Sequence, residues 1–193
     1  PVDSDIAPMP QAAVRQPAAG KGRLVKVETP VLEVWIDLLG GDIARVQLPT
    51  YPISLEQPDT PFLLMDRSAS RTYIAQSALI GSDGIDKTGA RPLYEAASDN
   101  LTLTEGGELV LTTTLDDAGV SKVFAFEPDS HLINIRYEVV NLATQPKTMR
   151  LLTQIKRDRL PPPTDETVPL APSPYLGGAL TTPDNNYKKV DFD

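Results

Sequence analysis

The sequence predicts an all-β domain, an antiparallel twisted β-sandwich, and three observations predict it. Apolar residues alternate with polar ones along short segments, as in Ile133, Ile135, Tyr137 and Val139 against Asn134, Arg136 and Glu138. One buried and one wet face is the pattern of antiparallel sheets. These segments recur at intervals of about 8–12 residues, with turn residues between them. Lastly, 19 prolines and 12 glycines in 193 residues disfavour long helices.

Residues 1–22 hold four prolines and many small residues without helical or strand periodicity, and are expected to form a flexible tether. From residue 23 the sandwich begins. Leu24–Glu28 and Val31–Leu38 are expected as strands broken at Pro30, with Leu32, Val34, Ile36 and Leu38 sharing a face. Gly40-Gly41 supplies a hairpin turn, and Asp42–Leu48 returns. Residues 49–61 are expected as a proline-punctuated loop, followed by short strands at Phe62–Met65 and Arg71–Gln76. Residues 81–92 are expected as a turn-rich excursion at a sheet edge.

Strands Leu101–Thr104, Glu108–Leu115, Val120–Glu127, Leu132–Val140 and Thr148–Lys156 should form a meander. The pattern puts Val123 and Ala125 opposite Phe124 and Phe126, and turns Ile133, Ile135, Tyr137 and Val139 inward. Trp35, Phe124 and Phe126 read as packing residues. Residues 161–174 form a second proline-rich loop, with strands at Tyr175–Leu180 and from Tyr187.

Composition excludes several functions. The 18 basic against 26 acidic residues give a net charge of −8, which argues against nucleic acid as a partner. The absence of cysteine removes disulfides, thiol nucleophiles, zinc ribbons and iron–sulfur clusters, and a single histidine removes a His-rich metal centre. No stretch reaches the roughly 20 apolar residues that span a bilayer. The sequence opens on Pro1-Val2-Asp3, so it is expected to be an internal piece of a longer protein or a processed product, with any signal or anchor upstream.

His131 is the one side chain whose ordinary pKa lies near neutrality, and it follows Pro128-Asp129-Ser130, so it reads as an exposed turn residue. No G-x-S-x-G elbow is present. Ser82 to Asp86 places two carboxylates by a glycine without the spacing or closing Glu of a calcium loop, and reads as a solvated turn. Lys156-Arg157-Asp158-Arg159 is the one basic cluster, with Arg150 earlier on the same strand. Arg150 and Lys156 share a parity opposite to Met149, Leu151 and Ile155, and should project to solvent. These four basic residues are the candidate partner-binding residues, for an acidic protein or anionic lipid headgroups. Catalytic, cofactor and metal residues are assigned to none.

Several segments in order resemble the periplasmic domain of the bacterial membrane protein insertases of the YidC/Oxa1/Alb3 family, Gram-negative type. They are Val31–Leu38 with Gly40-Gly41-Asp42-Ile43, Leu48-Pro49-Thr50-Tyr51-Pro52, and Thr60-Pro61-Phe62-Leu63-Leu64-Met65. Tyr73-Ile74-Ala75-Gln76-Ser77, Gly81-Ser82-Asp83-Gly84, Arg91-Pro92-Leu93-Tyr94, Thr182-Pro183-Asp184 and Tyr187-Lys188-Lys189 follow. The resemblance covers roughly residues 24–193. It implies a β-supersandwich akin to sugar mutarotases, on the periplasmic side of the inner membrane, after a first transmembrane segment. It also implies a non-catalytic role in inserting and folding inner-membrane proteins, alone or with the Sec translocon. The implied partners are that translocon, the SecD–SecF accessory proteins, and nascent membrane proteins held by the membrane core.

The family's domain continues past the equivalent of Asp193, so truncation on the C-terminal side is expected. The residues of the insertase's membrane groove lie outside this chain, so no insertion-active residue is carried over. The alternative is a periplasmic carbohydrate- or peptide-binding module of mutarotase-like fold. Mutarotase chemistry needs a positioned acid and base, for which His131 is the lone histidine.

Overall fold

The computed structural model describes residues 24–87, 90–160, 175 and 177–191. The expected tether at 1–22 and the proline-rich loop at 161–174 lie outside the described residues. The chain falls into two compact units divided between Lys156 and Arg157.

The first unit begins with β1 (Leu24–Glu28) and β2 (Glu33–Asp37). Thr29 closes their turn, its Oγ1 accepting the Leu32 N–H at 2.9 Å, while Pro30 occupies the tip where no donor is needed. The Gly40-Gly41 turn has positive φ at both residues, 84° and 61°, and leads into β3 (Asp42–Ser54). β4 (Gln57–Arg67) and β5 (Thr72–Ile80) follow, then short β6 (Glu95–Ala96) and β7 (Asn100–Thr102). β8 (Gly107–Leu115) and β9 (Ala118–Phe126) join through Asp116-Asp117, both at positive φ, the two-residue turn that matches strand twist. β10 (Ile133–Asn141) and β11 (Arg150–Arg157) complete the series, and the second unit shows β12 (Gly177–Thr182) paired with β13 (Asn185–Asp191).

Two sheets form the sandwich. The larger has the order β11-β5-β4-β3-β2-β1-β7 and the smaller β10-β9-β8-β6. β1 and β7 run parallel, an exception within otherwise antiparallel registers. The facing sides of both sheets supply one core, with Val25, Val27, Val34 and Ile36 from one and Leu111, Val120, Phe124 and Phe126 from the other.

Four expectations are corrected. First, residues 49–61 are strand apart from a two-residue turn at Leu55-Glu56, not loop: β3 and β4 continue past the sheet as a two-stranded ribbon, pairing Pro52 with Pro61 and Ser54 with Gln57. β2 pairs β3 no further than Gln47, so each ribbon strand has one open side. Prolines can point their missing donors there, and the register shifts absorb the rest. Second, the segment after β5 is not a mere edge excursion. It folds inward, burying Ile85 and Tyr94 to 1% exposure. Third, the meander is only β8, β9 and β10: its expected first strand, β7, pairs in parallel with β1, and its expected last, β11, joins β5, both in the other sheet. Thr148 N–H donates to Asp83 Oδ2 at 2.8 Å and Gln154 to Gln76 at 2.8 Å, fixing β11 along β5. Fourth, Trp35 is not a core residue. It is half-buried, with Lys26 and Arg45 about 5 Å from its ring, 5.0 and 5.1 Å respectively.

The register of β10 is as predicted: Ile133, Ile135, Tyr137 and Val139 stand opposite Phe126, Phe124, Lys122 and Val120. Burial does not follow for all four. Ile133 and Tyr137 pack on the core, whereas Ile135 and Val139 are exposed, because β10 is the outer strand of its sheet. Leu151 and Ile155 on β11, also an outer strand, are more than 60% exposed for the same reason. Val123 is buried despite its opposite parity to Phe124.

Candidate functional site

Charged side chains meet where the two sheets and the 79–94 segment converge. Lys122 sits at an inward position of β9, between Val120 and Phe124, and is fully buried. Its ammonium donates to the Gly40 carbonyl at 3.1 Å and the Ser77 carbonyl at 3.3 Å. It also lies 5.3 Å from the Tyr137 ring and 5.5 Å from that of Phe124. Arg91 donates to the same two carbonyls, at 3.0 and 3.2 Å, and to Asp42 Oδ1 at 2.6 Å. Asp86 accepts the Leu79 N–H at 2.8 Å, and its other oxygen lies 3.0 Å from Arg91 Nε. Asp37, nearby in sequence, is buried and paired with Arg67.

Two cations and two carboxylates therefore balance in a desolvated junction. Burial holds the Asp42 and Asp86 carboxyls above their ordinary range, with Arg91 opposing the shift in each case. Burial pushes Lys122 down to about 8 although Asp42 favours its charge. Tyr94 and Tyr137 are held above their ordinary value, chiefly by burial.

Above the junction lies an open groove of about 390 Å³. Ile135, Leu151 and Ile155 give it apolar sides, and Gln76, Ser77 and Tyr137 give it polar groups. Ser77 Oγ and Tyr137 OH are 3.0 Å apart. Gln154 donates to Gln76, which donates to Asp42 Oδ2 at 2.5 Å, so a hydrogen-bond chain runs from groove to junction. Gly41 also borders the groove. Its backbone φ of 61° suits glycine, and a Cβ there would meet Lys122 Cδ at 2.8 Å.

Of the residues singled out from sequence, His131 is exposed in a turn, edge-on to the Tyr51 ring at 5.7 Å. Arg150, Lys156 and Arg159 are exposed and Arg157 is half-buried. Asp83 is spent on the Thr148 N–H and on Ser82, which hold its carboxyl below the ordinary range. Among the described residues no group of three or more His, Cys, Asp or Glu is placed to hold a metal ion. The junction itself was missed. Lys122 carried the signal, since a lysine in register with Val120, Phe124 and Phe126 must be buried or break the pattern.

The fold and junction define a class: a two-sheet β-sandwich module whose polar interior locks the sheets and whose open groove faces solvent. The chain belongs to the YidC periplasmic domain family, matching it over residues 24–193. Relatives bearing the name membrane protein insertase YidC are 40% identical in Cellvibrio japonicus over 178 residues and 41% in Alcanivorax borkumensis over 187. A third, in Stutzerimonas stutzeri, is 38% identical over 190 residues. These alignments cover 91%, 94% and 97% of this chain but 32%, 32% and 34% of the relatives, so the chain spans about a third of their length. No helix among the described residues is long and apolar enough to cross a membrane.

Proposed function

We propose that this chain is the non-catalytic periplasmic domain of a membrane protein insertase, which helps to insert and fold inner-membrane proteins alone or with the Sec translocon. The observation that carries this reading is the family match along 24–193, together with relatives that share the insertase name. In this reading residues 1–22 tether the sandwich to a preceding transmembrane segment, and the domain stands on the periplasmic side of the bacterial inner membrane. The membrane core carries the nascent clients. A non-catalytic role is supported by the use of the junction's charges, which are committed to one another and to backbone carbonyls.

Arg150, Lys156, Arg157 and Arg159 supply the contact to an acidic Sec or SecD–SecF partner, or to anionic lipid. The exposure of three of them in an acidic chain supports this role. Charge reversal of Lys156, Arg157 and Arg159 to Glu tests it, scored by crosslinking to Sec components and by liposome flotation. Loss of either contact, with the fold intact by circular dichroism, is the expected result; both unchanged would retire the assignment. The wider reading is tested by the hydropathy of the intact gene product. It requires an apolar helix upstream and several spans downstream.

The groove favours a second reading, a carbohydrate- or peptide-binding module, because its size lies in the range of ligand pockets and it joins apolar sides to polar groups. Calorimetric titration with common monosaccharides separates the two: measurable heat supports binding, and none counts against the sugar.

A further inference from the structure

Four polar atoms at the junction are buried with no hydrogen-bond partner: Asp86 Oδ1, Arg91 Nε, Arg91 Nη1 and Tyr94 OH. Asp86 Oδ1 and Arg91 Nε are 3.0 Å apart but out of line for a hydrogen bond. Tyr94 is 1% exposed and follows Arg91 by three residues in the same inward-folded stretch. Buried polar groups are almost always paired, with protein or with ordered water. Four unpaired atoms on three neighbouring residues thus point to a ligand that both donates and accepts.

The charges select its class. Asp42 and Asp86 balance Arg91 and Lys122, so an added ion would be an uncompensated buried charge. Asp86 Oδ1 repels an anion and Arg91 Nη1 repels a cation. Water meets all the requirements: it accepts from Arg91 and Tyr94 and donates to Asp86. We infer that the junction binds ordered water between Asp86, Arg91 and Tyr94. This water ties the inward-folded 79–94 segment together. It thereby steadies Arg91, which grips the Gly40 and Ser77 carbonyls beside the groove.

Tyr94→Phe tests the inference by urea unfolding of the chain. If water bonds the hydroxyl, its removal lowers the folding equilibrium constant about fivefold. If the hydroxyl has no partner, removal relieves a desolvated polar group, and the constant stays level or rises; either result overturns the inference. Should the variant fail to fold, a high-resolution crystal structure of the parent decides. Density within hydrogen-bond distance of Tyr94 OH and Asp86 Oδ1 supports the site, and its absence there refutes it.

Discussion

Lys122 on β9 donates its ammonium to the Gly40 carbonyl 3.1 Å away, in the turn between β2 and β3, and so joins the two sheets through a charged bond inside the core. A buried cation is retained at a cost in desolvation, and the depressed Lys122 pKa means that this cost exceeds what Asp42 and Asp86 return. Lys122→Met leaves the Gly40 and Ser77 carbonyls paired with Arg91, and should therefore hold the stability of the parent or raise it by up to about 2 kcal/mol near neutral pH. Urea unfolding measures this, and a loss of about 3 kcal/mol or more would show that the carboxylates depend on the ammonium.

The same burial makes stability depend on alkaline pH. The Lys122 pKa is depressed to about 8 from an ordinary 10.5. Between those values the unfolded chain holds a proton that the folded one has lost, so stability rises with pH. The expected gain is about 1.5 kcal/mol between roughly pH 8 and 9.5, out of at most about 1.4 kcal/mol per pH unit for one proton. Nearer pH 10 the trend reverses. Buried Tyr94 and Tyr137 keep their protons while the unfolded chain releases them. Denaturant midpoints across this range check the slope, which Lys122→Met should lack; a flat profile in the parent contradicts the assignment.

Gly41 carries the third prediction. Alanine there meets a left-handed backbone and sits 2.8 Å from Lys122 Cδ. The expected loss is about 2–3 kcal/mol, combining backbone strain with overpacking. Thermal melts would expose an error in the turn if Gly41→Ala melted with the parent.

How much of this was legible follows from what each residue reports. Alternation at period two is set by the strand itself, so β8, β9 and β10 and their register could be read directly, as could the Gly40-Gly41 turn. Burial was less legible. Ile135, Leu151 and Ile155 alternate like core residues, yet they lie on outer strands, and neighbourhood in a sheet is a tertiary fact. Prolines 49, 52, 58 and 61 read as loop because they lack a donor, but a ribbon open on one side does not need it. The junction was hidden for another reason: Asp42, Asp86, Arg91 and Lys122 are far apart in sequence and meet only when the 79–94 segment turns inward. The basic residues Arg150, Lys156, Arg157 and Arg159 could be named, but what touches them is not written in their spacing.

His131 should matter little. It is exposed and makes one edge-on contact with Tyr51. His131→Ala should shift stability by less than about 1 kcal/mol. Differential scanning calorimetry is sufficient to check this, and a larger loss would mean that the turn carries structure beyond that contact.

The central claim is that this domain stands outside the inner membrane, facing the periplasm, as part of an insertase. The chain has no cysteine, and Leu55 at the tip of the β3–β4 ribbon is 93% exposed, so Leu55→Cys gives a single reporter in this domain. The measurement is labelling of that cysteine by a membrane-impermeant maleimide in intact spheroplasts expressing the full gene product, against the parent protein. The account predicts labelling in intact spheroplasts at the same level as after lysis. Labelling that appears only after lysis would place the domain in the cytoplasm and contradict it.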